Sequence, residues 1–149
     1  MNDEYFMNQA IALAKEAAEE GEVPVGAVVV LDGKIVGVGR NRREISKNAL
    51  AHAEIEAINE ACRALGGWRL WQCDMYVTLE PCPMCTGAII NSRMKRLVYG
   101  ASDYKAGSCG SVVDLFSLPY NHKPEVVSGV MQEECAALLT DFFKKLRKK

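Results

Sequence analysis

The feature that most constrains this chain is an apolar run, Met75 to Leu79, followed after one glutamate by Pro81-Cys82-Pro83-Met84-Cys85 and then by a second apolar run, Met94 to Tyr99. The two runs read as buried strands. Proline suits the first turn of a helix, so Pro83 to Asn91 is predicted as a short helix between them. Strand, helix and strand in succession imply a parallel crossover, and with it an α/β sheet. The connecting helix opens with two cysteines three residues apart, on one side of a turn, where unpaired backbone N–H groups favour thiolates.

The remaining segments complete an α/β chain. Phe6, Ala10, Leu13, Ala14 and Ala17 recur at the spacing of one helical face, in a run that stops at Gly21. Val25–Leu31 and Ile35–Val38 flank Asp32-Gly33, which tolerates the positive φ of a tight hairpin. Arg42 to Leu50 is polar and aperiodic, a predicted loop. A helix on Ile55, Ile58, Cys62 and Leu65 ends at Gly66-Gly67. Past Gly100 the chain is irregular through Pro119; a short strand at Glu125–Val127 and a closing helix at Glu133–Leu146 follow. With 149 residues, 49% of them apolar, and no internal repeat or linker, the expectation is one domain over residues 1–149, a three-layer α/β/α fold with a mixed five-stranded sheet.

Composition narrows the function classes. No apolar run approaches the ~20 residues of a membrane span, so a soluble, cytoplasmic protein without a membrane partner is expected. Six cysteines with no secretory signal before them suit free thiols better than disulfides. Cys62 and Cys135 fall on apolar helical faces and read as core, Cys73 and Cys109 carry no motif, and His122 reads as a loop residue. The net charge is only -1, so basic character is local: Arg40, Arg42 and Arg43 form one cluster, and the last eight residues from Phe142 hold five basic side chains and no acidic one.

His52-Ala53-Glu54 opens the other central helix. A Cys-x-x-Cys alone fits a structural zinc or a redox pair equally; the upstream histidine is what points to catalysis. Cys82, Cys85 and His52 make a Cys2His set suited to one Zn2+ per chain, and three protein ligands leave a position open for water, whose pKa zinc lowers to about 7. Glu54 lies two residues past the histidine and off its helical face. It is expected beside the metal, not on it, taking the water proton and returning it to a leaving amine.

These residues carry a resemblance. His-x-Glu followed by Pro-Cys-x-x-Cys resembles the cytidine deaminase superfamily, in which the glutamate is not a ligand. Glu22-Val23-Pro24-Val25-Gly26-Ala27-Val28, Asn41-Arg42, Ala51-His52-Ala53-Glu54-Ile55, Thr78-Leu79-Glu80-Pro81-Cys82-Pro83-Met84-Cys85, Gly100-Ala101 and Asp141-Phe142-Phe143 are similar to the bacterial tRNA-specific adenosine deaminases over nearly the whole chain. The resemblance implies a cytidine-deaminase-like fold, hydrolytic conversion of adenosine to inosine at the anticodon wobble position, and a homodimer that binds the tRNA anticodon stem-loop. It further implies that Asn41 contacts the target nucleoside, that Ala53 meets the base through its backbone, and that Asp103 lies by the ribose. The chain departs from the family at Lys47-Asn48-Ala49-Leu50, where an Asp-Pro-Thr-like sequence is usual, and around Tyr120-Asn121-His122, which is about one residue short.

Phe142 and Phe143 adjoin the basic tail; one belongs to the core by periodicity, and Phe143 is taken as the one able to stack on a base. Two other readings stand beside this one. A free-base deaminase acting on guanine or cytosine would use the same metal chemistry, and a zinc-stabilised RNA-binding module without catalysis would need a fourth protein ligand.

Overall fold

The computed structural model describes residues 2–148. Helix α1 (Asp3–Glu19) opens on Asn2, whose side chain accepts a hydrogen bond from the Tyr5 N–H at 2.9 Å, and acidic Asp3 and Glu4 occupy its first turn. Strands β1 (Gly26–Leu31) and β2 (Lys34–Arg40) form the hairpin, turning through Asp32 and Gly33 at φ 50° and 77°. Helices α2 (Arg43–Ser46) and α3 (Ala53–Leu65) lead to β3 (Asp74–Leu79). Then come α4 (Pro83–Asn91), β4 (Arg96–Ala101), a single 3-10 turn at Leu115–Ser117, β5 (Glu125–Val127) and α5 (Gln132–Arg147).

The strands form one mixed sheet in the order β2-β1-β3-β4-β5. The hairpin makes β1 antiparallel to β2, and β1 is also antiparallel to β3, whereas α4 returns the chain so that β3 and β4 run parallel, as do β4 and β5. One face is covered by α1 and α5, the other by α3 and α4, giving three layers. Strands β1, β3 and β4 are therefore buried on both sides and read as continuous apolar runs without alternation. Because β1 is antiparallel to β3, its first residues lie beside the carboxyl end of β3, with Ala27 opposite Val77. The segments before β1 and after β2, β3 and β4 all meet at that end, the usual place for a ligand in an open α/β sheet.

Two predicted segments differ from the structure. The stretch read as a loop contains the helical turn α2, ended by Lys47 at φ 51°. The fourth strand begins at Arg96 and runs on to Ala101, two residues later than predicted. Met94 is fully buried but sits in the turn that leaves α4, its N–H donating to Ile89, so its apolar side chain mimics a strand position. Gly100 does not end the strand. A β-carbon there would stand 2.3 Å from the Cys135 Sγ, so the glycine lets α5 close onto the sheet.

Candidate active site

Two helix starts build the site. His52 precedes the first residue of α3 and Cys82 the first residue of α4, both with extended backbones, and Cys85 lies one turn into α4. The His52 Nδ1 is 3.7 Å from the Cys82 Sγ and 3.5 Å from the Cys85 Sγ, and the three ligand atoms all lie within 4.8 Å of one another. Tetrahedral zinc with ordinary Zn–S and Zn–N bonds separates sulfur and nitrogen by about 3.6 Å, so the donor set fits a zinc-sized cation.

The electrostatics point the same way. A hydrogen bond with the Cys85 thiol holds Cys82 down to about 4, despite a desolvation penalty, while the same bond and burial push Cys85 well up. Contact with Cys82 raises His52. Cys82 ionises beside a Cys85 kept as a thiol, and a second thiolate in this half-buried site would need a cation to compensate it. Glu54 is buried, and desolvation pushes its carboxyl up to about 7, where a group both accepts and releases protons near neutral pH.

A pocket of about 260 Å³ opens over this triad. His52, Ala53, Glu54 and Cys82 form its inner wall, apolar Val23, Val25 and Leu79 line its sides, and Asn41, Arg43, Asp103 and Ala106 stand around it. Asn41 is buried, its Nδ2 donating to the Val23 carbonyl at 3.1 Å and its Oδ1 accepting the Arg43 N–H at 3.3 Å. The Asp103 Oδ1 accepts the N–H groups of Lys105 and Ala106 at 3.0 and 3.2 Å. Thus six of the predicted positions converge on one cavity, and Cys85 lies behind it.

The chain is similar to known deaminases across its length. The MafB19-like deaminase family profile matches residues 1–147. A tRNA-specific adenosine deaminase of Bacillus subtilis (strain 168) is 51% identical over 148 residues, covering 99% of this chain and 92% of that protein. The chain belongs to the tRNA-specific adenosine deaminase family. A solved tRNA:A34 deaminase, which carries out A-to-I editing at the wobble position of transfer RNA, superposes with a TM-score of 0.88 at 48% identity, over 91% of this chain and 99% of that one. The three-layer fold with its mixed sheet is thus the fold of this family. A Bacillus subtilis guanine deaminase is more distant, with a TM-score of 0.68 at 34% identity over 100% of this chain and 96% of that one.

The remaining predicted residues fall outside the pocket. Phe143 is exposed on α5, edge-on to the half-buried Phe142 at 5.4 Å, and does not line the pocket. His122 donates from Nε2 to the Met94 carbonyl at 2.6 Å. All six cysteines are free; Cys73, Cys109 and Cys135 are buried, and Cys62 packs partly buried against the core. Sequence reasoning assigned no role to two buried carboxylates, Glu80 in the pocket lining and Glu22 just outside it, at 2% and 1% exposure. The available signal was an acidic residue set in apolar surroundings, before Val23-Pro24 and between Leu79 and Pro81.

Proposed function

We propose that this chain is a hydrolytic tRNA adenosine deaminase that converts adenosine to inosine at the anticodon wobble position, with residues 1–149 acting as one zinc-dependent domain. The observation that carries this reading is a His52, Cys82 and Cys85 cluster able to hold a metal ion, set beside the buried Glu54 in the lining of one pocket, in a chain of this family. His52, Cys82 and Cys85 hold one Zn2+ per chain. What zinc supplies there when bound is Lewis acidity, which makes a water nucleophilic near neutral pH.

The protein's own groups do the rest. Ala53 offers backbone to the base at the mouth of α3, and Asn41 orients the nucleoside. Glu54 takes a proton from the attacking water and hands it to the exocyclic amine, which leaves as ammonia while the carbon keeps the oxygen. Asp103 faces the ribose, whose 2′-hydroxyl distinguishes RNA. Phe143, Lys144, Lys145 and Arg147 lie on α5, suited to stacking and to phosphate contact with the anticodon stem-loop. The enzyme works as a cytoplasmic homodimer. Among the described residues no helix is long and apolar enough to cross a membrane.

The decisive experiment incubates zinc-loaded protein with an anticodon stem-loop carrying adenosine at the wobble position and assays inosine. Conversion is expected, and free guanine and cytosine should be left intact. Turnover of a free base with an untouched stem-loop would transfer the assignment to a base deaminase. Zinc spectroscopy showing a fourth protein ligand would instead indicate a non-catalytic module. Sedimentation at micromolar concentration tests the dimer, which a single monomeric species would refute.

A further inference from the structure

We propose that Glu22 and Glu80 are paired positioning residues, each using a buried carboxylate to hold one of the two loops that flank the pocket in its substrate-receiving conformation. The inference rests on the tRNA deaminase reading of the same pocket.

Glu80 lies between the end of β3 and the metal-site segment. Its Oε1 accepts the Asp103 N–H at 3.0 Å and the Ser111 hydroxyl; its Oε2 accepts the N–H groups of Cys109 and Ser111, each at 3.0 Å. One carboxylate thus gathers four donors from a nine-residue stretch with no regular structure of its own, at whose start Asp103 and Ala106 line the pocket. Both oxygens are spent on the loop, leaving no acceptor for a substrate. Space is set to match: a β-carbon on Gly107 would lie 2.4 Å from the Glu80 carboxyl carbon and 2.4 Å from the Asp103 carbonyl oxygen.

Glu22 does the same on the opposite side. From the turn after α1 it accepts the N–H groups of Glu44 and Ile45 at 3.1 and 2.7 Å, two donors at the start of the short helix α2. Its neighbour Val23 accepts from the Asn41 amide, so Glu22, Val23, Asn41 and Arg43 form one unit, and three of the four line the pocket.

A buried carboxylate is expensive to desolvate, and a loop held only for stability could be packed with apolar groups at lower cost. A carboxylate accepts and cannot donate. It therefore selects the one loop conformation that aims several N–H groups at a single point. Preorganised loops spare a flexible RNA substrate the cost of ordering them on binding.

The test compares steady-state kinetics of the zinc-loaded wild type with Glu22→Gln, Glu80→Gln and the milder Ser111→Ala, on the wobble-adenosine stem-loop. Each amide variant should raise KM by about tenfold, the scale of one lost charge-assisted hydrogen bond, with kcat reduced much less. Ser111→Ala should raise KM by roughly threefold. Hydrogen exchange, which needs no turnover, should accelerate at Asp103, Cys109 and Ser111 when Glu80 is changed, and at Glu44 and Ile45 when Glu22 is changed. Should Glu80→Gln fail to fold, Ser111→Ala and Glu22→Gln decide the matter. Unaltered KM with unaltered exchange in these variants overturns the inference, as does a kcat loss that tracks zinc loss. A wild type that binds zinc but leaves the stem-loop untouched would refute the deaminase reading itself, and the exchange data would still judge the loop clamps.

Discussion

In the proposed role of proton shuttle, Glu54 would meet two opposing demands. Its burial makes the ionised form costly, yet a proton shuttle must exist in both forms at working pH; a carboxyl pushed up to about 7 satisfies both. Replacing it with alanine should lower stem-loop deamination by at least about a hundredfold, the usual contribution of one general acid–base group. Zinc content, measured by atomic absorption, should stay at one per chain. Activity near the wild-type level would show that another group moves the proton. Substituting Cys85, buried one turn into α4, should act oppositely: Cys85→Ser should lose metal first and activity as a consequence, seen as substoichiometric zinc in freshly purified protein.

At the scale of elements, the site depends on how closely α3 approaches β2. A β-carbon at Gly39 would stand 2.1 Å from the Ala53 carbonyl, and one at Gly37 2.2 Å from the Ala57 carbonyl, so both glycines let the helix backbone rest directly on the strand. Adding a methyl at either position should cost about 1–3 kcal/mol of unfolding free energy, the range for overpacking a well-filled core, measured in urea. The two variants should part on metal. Gly39→Ala displaces the helix start next to His52 and should weaken zinc affinity in a chelator competition, whereas Gly37→Ala acts one turn further along and should leave it nearly intact. Equal zinc affinities would show that the helix start is set by something other than this contact.

Across the whole molecule, the opposite end of the sheet is tied by charge. Arg96 of β4 contacts Asp3 through two nitrogens, at 2.6 and 2.9 Å, and the Tyr76 hydroxyl donates to the Asp3 Oδ1 at 2.7 Å, joining the start of α1 to the two central strands. The Arg96 hydrogen bond holds the Asp3 carboxyl below its ordinary 3.8, so its stabilising effect is fully present above that value and is lost as pH falls through the lower folded-state value. The stability gap between wild type and Asp3→Asn should therefore be constant from neutral pH down to about 4 and shrink below it, in urea titrations at each pH. A gap that widened in acid would reverse the assigned sign. A metal held by His52, Cys82 and Cys85 would act from the other end. A cation bound by the folded site but not by the unfolded chain stabilises by mass action, so chelation at neutral pH should lower Tm and added zinc should restore it. A Tm indifferent to both would deny the triad a structural metal load.

What could be read directly from the amino-acid order was whatever depends on near neighbours. A helix placed between two apolar runs had to begin at Pro83, because proline and the cysteine spacing are local signals, and the bounds of α4 and β5 emerged residue for residue. That His52, Cys82 and Cys85 come together, with Glu54 in the same pocket, was legible for the same reason, since each pair sits within one turn of a helix start. Tertiary structure alone decided the rest. Met94 is apolar whether it belongs to a strand or to a buried turn, and only packing distinguishes them; Gly100 weakens a strand pattern read from sequence, yet here it admits Cys135. The loops around the pocket take their shape from Glu22 and Glu80, whose partners lie more than twenty residues away. A hydrogen bond across that distance leaves no periodicity in the chain, because it exists only once the sheet has brought its two ends together.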